Sequence, residues 1–315
     1  MDHPYALAGL HPGGALGGPG GLPGPRATLW HGEAGAQQMK NLVRRASSGA
    51  GAAFIVLAWL LVAQLFSPAS WLITLLLVLV SWGGSLEYAQ LVRDSGLAID
   101  VRILVVLAVL VILGYAPSAG ELGPPVLALA AAGLLIRYLP SSQPLAVLRS
   151  SLLGLVYIPY LLHFFYVIYS APNGLGYTLL LLGLVWAYDS GAYLVGHRWG
   201  RHKFFPTLSP SPQKSWEGVV GGLLFALAIG LLSRFWIAWP QLPGLFLLQA
   251  GGLALLIGCS AQLGDLFESK LKREAGVKDS GTLFPGHGGL LDRIDSLLLS
   301  LPLFYGYLHY LLGRL

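Results

Sequence analysis

Apolar residues come in long unbroken blocks from residue 49 to the end of the chain, and polar residues gather in short stretches between them. The blocks are rich in Leu, Val, Ala and Gly and do not alternate with polar positions, so they read as helices rather than barrel strands. Nine of them approach the ~20 residues that a helix needs to cross a bilayer. They fall at about 49–67, 70–88, 101–117, 123–139, 147–170, 175–196, 217–238, 243–264 and 291–312. In a bilayer each span must satisfy its own backbone hydrogen bonds, which again selects helices. The expected fold is all-α and polytopic, with about nine transmembrane helices.

Residues 1–38 break this pattern. They are rich in Gly and Pro, without periodicity, and read as a disordered extension. They lack the basic-then-apolar order of a cleaved signal peptide. Met39, followed by Lys40, Arg44, Arg45 and the first apolar block, resembles a natural start. The expected organisation is an extension over 1–38, a helical membrane region over 39–174 and a catalytic membrane region over 175–315.

The connections set the orientation. Basic residues occupy the N-terminal flank (Lys40, Arg44, Arg45), the second-to-third connection (Arg93, Arg102) and the fourth-to-fifth (Arg137, Arg149). They recur in the sixth-to-seventh loop (Arg198, Arg201, Lys203, Lys214) and the eighth-to-ninth (Lys270, Lys272, Arg273, Lys278). The other connections carry almost none. The positive-inside rule places the basic loops and the N-terminus in the cytoplasm.

Composition supports the membrane reading: 55% of residues are hydrophobic, 10% are charged and the mean hydropathy is +0.67. A soluble domain carries about 25% charged residues. The net charge of +5 reports orientation and headgroup contact rather than nucleic-acid binding. The single cysteine, Cys259, excludes an intramolecular disulfide and a multi-cysteine zinc site. No internal repeat stands out, which weakens a transporter built from inverted halves.

Eight of the 14 acidic residues lie between 189 and 295. An ionised carboxylate at the bilayer centre costs at least ~2.5 kcal/mol, so such residues need a partner, water or a cation. Asp265 and Glu268 are three apart and share a helical face, with Lys272 one turn beyond. Asp292 and Asp295 share a face at the start of the ninth span. Capping and ion pairing explain each pair alone. Two pairs flanking one basic loop point to a hard cation, and Mg2+ is typically held by one or two carboxylates plus substrate phosphates. In the loop between them Gly286, Gly288 and Gly289 suit either an ordinary turn or an anion-binding nest, and His287 is either a phosphate donor or structural. Upstream, Asp189 lies at the end of span six. Ser211, Lys214, Ser215 and Glu217 precede span seven, where Ser215 reads as a helix cap and binding is compatible with it.

The run Ser269, Lys272-Arg273, Lys278-Asp279, Pro285, His287-Gly288-Gly289, Asp292-Arg293, Asp295 resembles the signature of the phosphatidate cytidylyltransferases over about 27 residues. Asp189-Ser-Gly-Ala-Tyr and Ser211-Pro-Gln-Lys-Ser-Trp-Glu-Gly are similar to that family's second region. The likeness is strong over roughly 186–296 and general before it, and the one departure is a longer Leu-Ser-Pro-Ser-Pro stretch at 208–212.

The resemblance implies the reaction CTP plus phosphatidate to CDP-diacylglycerol plus pyrophosphate. It implies Asp265 and Asp292 as metal ligands, supported by Glu268 and Asp295. Lys214, Lys272 and Arg273 would meet phosphates, and Ser211, Glu217, Asp189, Lys278, His287 and Arg293 would line the substrate site. The implied cofactor is Mg2+, with a second metal or a monovalent cation left open. The implied partners are CTP, phosphatidate in the bilayer and membrane lipids, with a homodimer left open. A bacterial-type inner membrane with the site facing the cytoplasm is the implied location. Two alternatives compete: another Mg2+-dependent membrane transferase, such as one moving a phosphosugar onto a polyprenyl phosphate, and a transporter whose carboxylates line an ion path. Clustering of the carboxylates beside basic loops disfavours the transporter.

Overall fold

The computed structural model describes residues 51, 53–65, 70–116, 119, 121–141, 144–203, 211, 214–235, 237, 245–284 and 288–311. The predicted extension over 1–38, the start at Met39, the basic flank after it, and His287 lie outside these residues. Among the described residues there is helix and no strand, beyond isolated bridges at Lys203–Ser215 and Phe284–Gly288.

The helices follow the apolar blocks. They are α1 (Ala53–Leu65), α2 (Ser70–Asp94), α3 (Val101–Gly114), α4 (Gly123–Tyr138), α5 (Pro144–Ser170), α6 (Gly174–Trp199), α7 (Trp216–Leu232), α8 (Leu245–Glu274) and α9 (Leu291–Gly306). Five of them (α2, α5, α6, α7 and α8) are long and apolar enough to cross a membrane. The outer faces of the long and shorter helices alike carry exposed large side chains such as Phe54, Trp71, Leu129, Val220, Leu224 and Leu248. A water-soluble fold does not leave so many exposed; lipid is the solvent that accepts them. The protein is an all-helical membrane protein.

Several termini obey local rules. Asp100 caps α3 by accepting from the backbone N–H groups of Arg102 (3.1 Å) and Ile103 (3.2 Å). Ser215 caps α7 by accepting from Gly218 N–H at 3.2 Å, the cap predicted for it. Pro159 cannot donate to the preceding turn, and α5 absorbs this as a π-helical turn over Val156–Tyr160.

One expectation fails at α8. Its apolar block suggested an end near residue 264 and a basic loop beyond; the helix continues to Glu274 and stops at Gly276, whose φ is 71°. Lys270, Lys272 and Arg273 are therefore helical, not in a loop. The stretch is made of good helix formers, and the i,i+4 pairs Lys272–Glu268 and Lys270–Glu274 sustain it.

Small residues bring the catalytic half together. A Cβ at Gly222 would sit 2.8 Å from the Tyr188 carbonyl, so α6 and α7 meet backbone to backbone. A Cβ at Gly264 would collide with the Asp295 carbonyl, so α8 and α9 touch beside Asp265. Ser260 Oγ and Ser300 Oγ, 2.9 Å apart, join the same two helices deeper in the bundle. Tyr188 donates to Gln262 Oε1 at 3.1 Å, tying α6 to α8.

Candidate active site

The face of α8 that bears Asp265, Glu268, Ser269 and Lys272 repeats at intervals of three and four, so all four residues point the same way. What lies opposite is the start of α9. Lys272 Nζ lies 2.5 Å from Asp292 Oδ1 and also pairs with Glu268, which is fully buried. Asp265 pairs with Lys214 at 2.5 Å, across from the loop that precedes α7, and accepts from Ser269 Oγ at 3.1 Å. Asp265, Glu268 and Asp292 thus each face a lysine, as low-dielectric surroundings favour.

Asp292 is held by the loop before it. Its Oδ2 accepts from the backbone N–H groups of Ser280 and Gly289, both at 2.8 Å, and lies 2.9 Å from Ser280 Oγ. At Gly289 this supports the turn reading of the glycine run over the anion nest; Gly286 lies outside the described residues. Among the described N–H groups there, Gly289 donates to Asp292, while Leu290 (2.8 Å) and Leu291 (2.7 Å) donate to Glu87 on α2. Internal carboxylates, not an outside anion, satisfy these donors.

Three clefts converge on this cluster. One, of about 390 Å³, lies between α6 and α7 and is lined by Tyr193, His197, Lys203, Lys214 and Ser215 among others. A second, of about 340 Å³, is almost wholly polar; its walls include Lys272, Arg273, Lys278, Asp292, Arg293 and Asp295. The third, of about 440 Å³, is mainly apolar and runs among α1, α2, α5 and α6. Asp189 lines all three. Asp265 lines the first two, while Asp292, Arg293 and Asp295 line the second and third.

The structure therefore brings together Asp189, Lys214, Asp265, Lys272, Arg273, Lys278, Asp292, Arg293 and Asp295 around connected space. Glu268 stands behind Lys272 rather than in a cleft wall. Glu217 turns the other way: it accepts from His202 N–H at 3.1 Å and contacts His202 Nδ1 at 2.6 Å, beside the Lys203–Ser215 bridge. The Ser211 carbonyl accepts from Lys214 N–H.

Two residues escaped the sequence reading. Glu87 has partners 203 and 204 positions away, and nothing local marks it except its charge within an apolar block. Tyr157 sits on the π turn of α5. Its ring meets Phe267 edge-on at 4.8 Å, and its buried hydroxyl, without a hydrogen-bond partner among the described residues, lies in the field of Asp295, Glu268 and Asp265. Pro159, inside a span, is the signal that could have pointed to that turn.

The donor set is hard: carboxylate oxygens of Asp265, Asp292 and Asp295 border one cleft, and among the described residues that line it there is no thiol or imidazole. That chemistry fits a divalent cation such as Mg2+. Among the described residues no three His, Cys, Asp or Glu side chains converge closely enough to form a ready cage.

Residues 45–311 match the model of the cytidylyltransferase family. The chain belongs to that family. A phosphatidate cytidylyltransferase of Synechocystis sp. is 34% identical over 272 residues, covering 77% of this chain and 90% of that protein. A phosphatidate cytidylyltransferase of Haemophilus influenzae is 43% identical over 143 residues, 44% of this chain and 47% of that protein. One from Staphylococcus aureus is 41% identical over 152 residues, 48% of this chain and 55% of that protein. Against the last two the chain matches about half of the relative's length.

Proposed function

We propose that this cytidylyltransferase-family protein converts CTP and phosphatidate to CDP-diacylglycerol and pyrophosphate. The observation that carries the reading is the shared wall of two unlike clefts. Asp189, Asp292, Arg293, Asp295 and Ser296 border both the polar cleft and the apolar one. A substrate with a phosphate head and acyl tails fits such a junction, the head at Arg293 and the tails among Val80, Phe165 and Val185. The polar space leading away past Lys272, Arg273 and Lys278 suits a triphosphate.

The lipid phosphate is already an anionic nucleophile, so no strong general base is needed. One of its oxygens forms a bond to the α-phosphorus of CTP, and the bond from that phosphorus to the bridging oxygen of pyrophosphate breaks. The barrier lies in bringing anions together and in stabilising the charge that leaves. Lys214, Lys272, Arg273 and Lys278 supply positive charge for this. Asp265 and Asp292, with Asp295 beside them, would hold Mg2+, which supplies neutralisation of phosphate charge when bound. The ion pairs of Asp265 with Lys214 and of Asp292 with Lys272 support the same reading. The lysines balance these carboxylates, and each lysine is free to turn to phosphate once a cation takes its place.

The basic connections support a cytoplasmic N-terminus, about nine spans and a site open to the cytoplasm, from which CTP arrives. The bacterial relatives support an inner-membrane location. The test is direct: purified protein in lipid nanodiscs, given CTP, phosphatidate and Mg2+, forms CDP-diacylglycerol and pyrophosphate in equal amounts. No product under a full Mg2+ titration sinks the reading. Product from a polyprenyl phosphate and a nucleotide sugar instead establishes the rival transferase.

A further inference from the structure

Glu87 lies on α2, in an otherwise apolar stretch, yet its carboxylate reaches the start of α9. The approach is prepared by Gly83, one turn before it, where a Cβ would lie 2.8 Å from the Leu290 side chain. Oε1 accepts from Leu290 N–H at 2.8 Å and Oε2 from Leu291 N–H at 2.7 Å. Leu290, at the N-cap position of α9, has no capping side chain of its own, so a carboxylate from another helix does that work. A Cβ at Gly281 would lie 2.5 Å from Oε1, so the loop closes tightly around Glu87.

Ser280 links this carboxylate to the cluster. Its Oγ lies 2.9 Å from Glu87 Oε2 and 2.9 Å from Asp292 Oδ2, and it has one proton to give. Asp292 Oδ2 already receives two backbone N–H groups, from Ser280 and Gly289. The hydroxyl proton therefore goes to Glu87, and Ser280 Oγ stays tied to Asp292 by accepting that residue's backbone N–H at 3.3 Å. Asp292 is left with Oδ2 saturated by the loop and Oδ1 turned to Lys272 and the cleft.

We infer that Glu87 is a positioning residue: by holding Ser280 and the first N–H groups of α9, it fixes Asp292 with Oδ1 facing the cleft. It touches neither substrate nor cation and acts through Asp292. The inference rests on the proposed cation site at Asp292; only its kinetic readout needs the proposed reaction as well. Supporting residues of this kind, one step removed from a metal ligand, are worth about 10–100-fold in affinity or activity.

The experiment compares wild type, Glu87→Gln and Ser280→Ala in detergent. Three quantities are read: Mn2+ binding by its EPR signal in the presence of CTP, kcat with the KM for each substrate, and thermal stability. Glu87→Gln keeps size and one acceptor but replaces the other with an amide donor. It is expected to weaken Mn2+ binding and lower kcat by about 10–100-fold, with KM for phosphatidate within about twofold. Ser280→Ala keeps the backbone donors and loses the hydroxyl link. It is expected to show the same pattern at about 10-fold, and it decides the matter alone if Glu87→Gln does not fold. Folded variants with wild-type Mn2+ affinity and kcat, whatever their melting temperature, overturn the inference and leave Glu87 a purely structural cap. If wild type makes no CDP-diacylglycerol, the proposed reaction falls, and the Mn2+ comparison still decides the role of Glu87.

Discussion

Lys272 Nζ stands between two carboxylates, 2.5 Å from Asp292 Oδ1 and in contact with the fully buried Glu268 on its own helix. The ammonium is thus the hinge between α8 and α9. Replacing it with Met leaves two carboxylates facing each other in a poorly solvated space. Loss of one partner of a buried pair costs about 3–5 kcal/mol. Lys272→Met is expected to lose about 3 kcal/mol of stability by that measure, together with activity. Adding Glu268→Gln removes the buried charge and is expected to restore most of the stability but not turnover. Melting curves and turnover on the single and double variants check this; a double variant as active as wild type would remove Lys272 from the reaction.

Asp292 has one oxygen committed to the loop and one to the cleft. Asp292→Asn keeps the shape and removes the charge. Turnover is expected to fall by at least about 100-fold, the scale for deleting one group that stabilises transition-state charge. Membrane insertion, read by expression and by a monodisperse detergent peak, stays intact. Near-normal turnover in this variant means that the cation is held elsewhere.

The helical character of the chain and the α8 face were legible because they depend on local spacing. Apolar blocks longer than 17 residues force helices in lipid, and Asp265, Glu268 and Lys272 fall three and four apart. The α7 cap was legible for the same reason, since Ser215 and the Gly218 N–H are three apart. What failed to show were relations across the bundle. Glu87 reads as one stray charge until α2 and α9 are side by side. The glycine run before α9 reads first as a turn and only secondarily as a nest for anions; the fold reveals that Asp292 takes the Gly289 N–H and Glu87 those of Leu290 and Leu291. The length of α8 was missed because hydropathy ends where charge begins, whereas a helix ends where its hydrogen bonds do.

Lys214 meets Asp265 from the segment before α7 and lines the cleft between α6 and α7. A lysine there serves triphosphate binding more than lipid binding. Lys214→Ala is expected to raise KM for CTP by about 10–100-fold, the equivalent of one charge-assisted hydrogen bond of 1.5–3 kcal/mol. KM for phosphatidate is expected to change little. Steady-state kinetics with each substrate varied in turn distinguishes the two; an equal rise in both would place Lys214 at the shared phosphate centre instead.

The apolar cleft makes the complementary prediction. Val80 on α2 lines it together with Phe165 on α5 and Val185 on α6, away from the lysines of the polar clefts. A larger side chain at Val80 occupies space that acyl chains would need while leaving the charged cluster untouched. Each methylene displaced from apolar surroundings forfeits about 0.8 kcal/mol. Val80→Trp, by excluding about two methylenes, is therefore expected to raise KM for long-chain phosphatidate by roughly 10-fold. KM for CTP should stay within twofold, and a phosphatidate with shorter chains should recover most of the loss, because it no longer competes for the blocked space. Unchanged kinetics with the long-chain substrate would mean that the lipid tails reach Asp292 and Arg293 by another route, directly from the bilayer rather than through the cleft among α1, α2, α5 and α6.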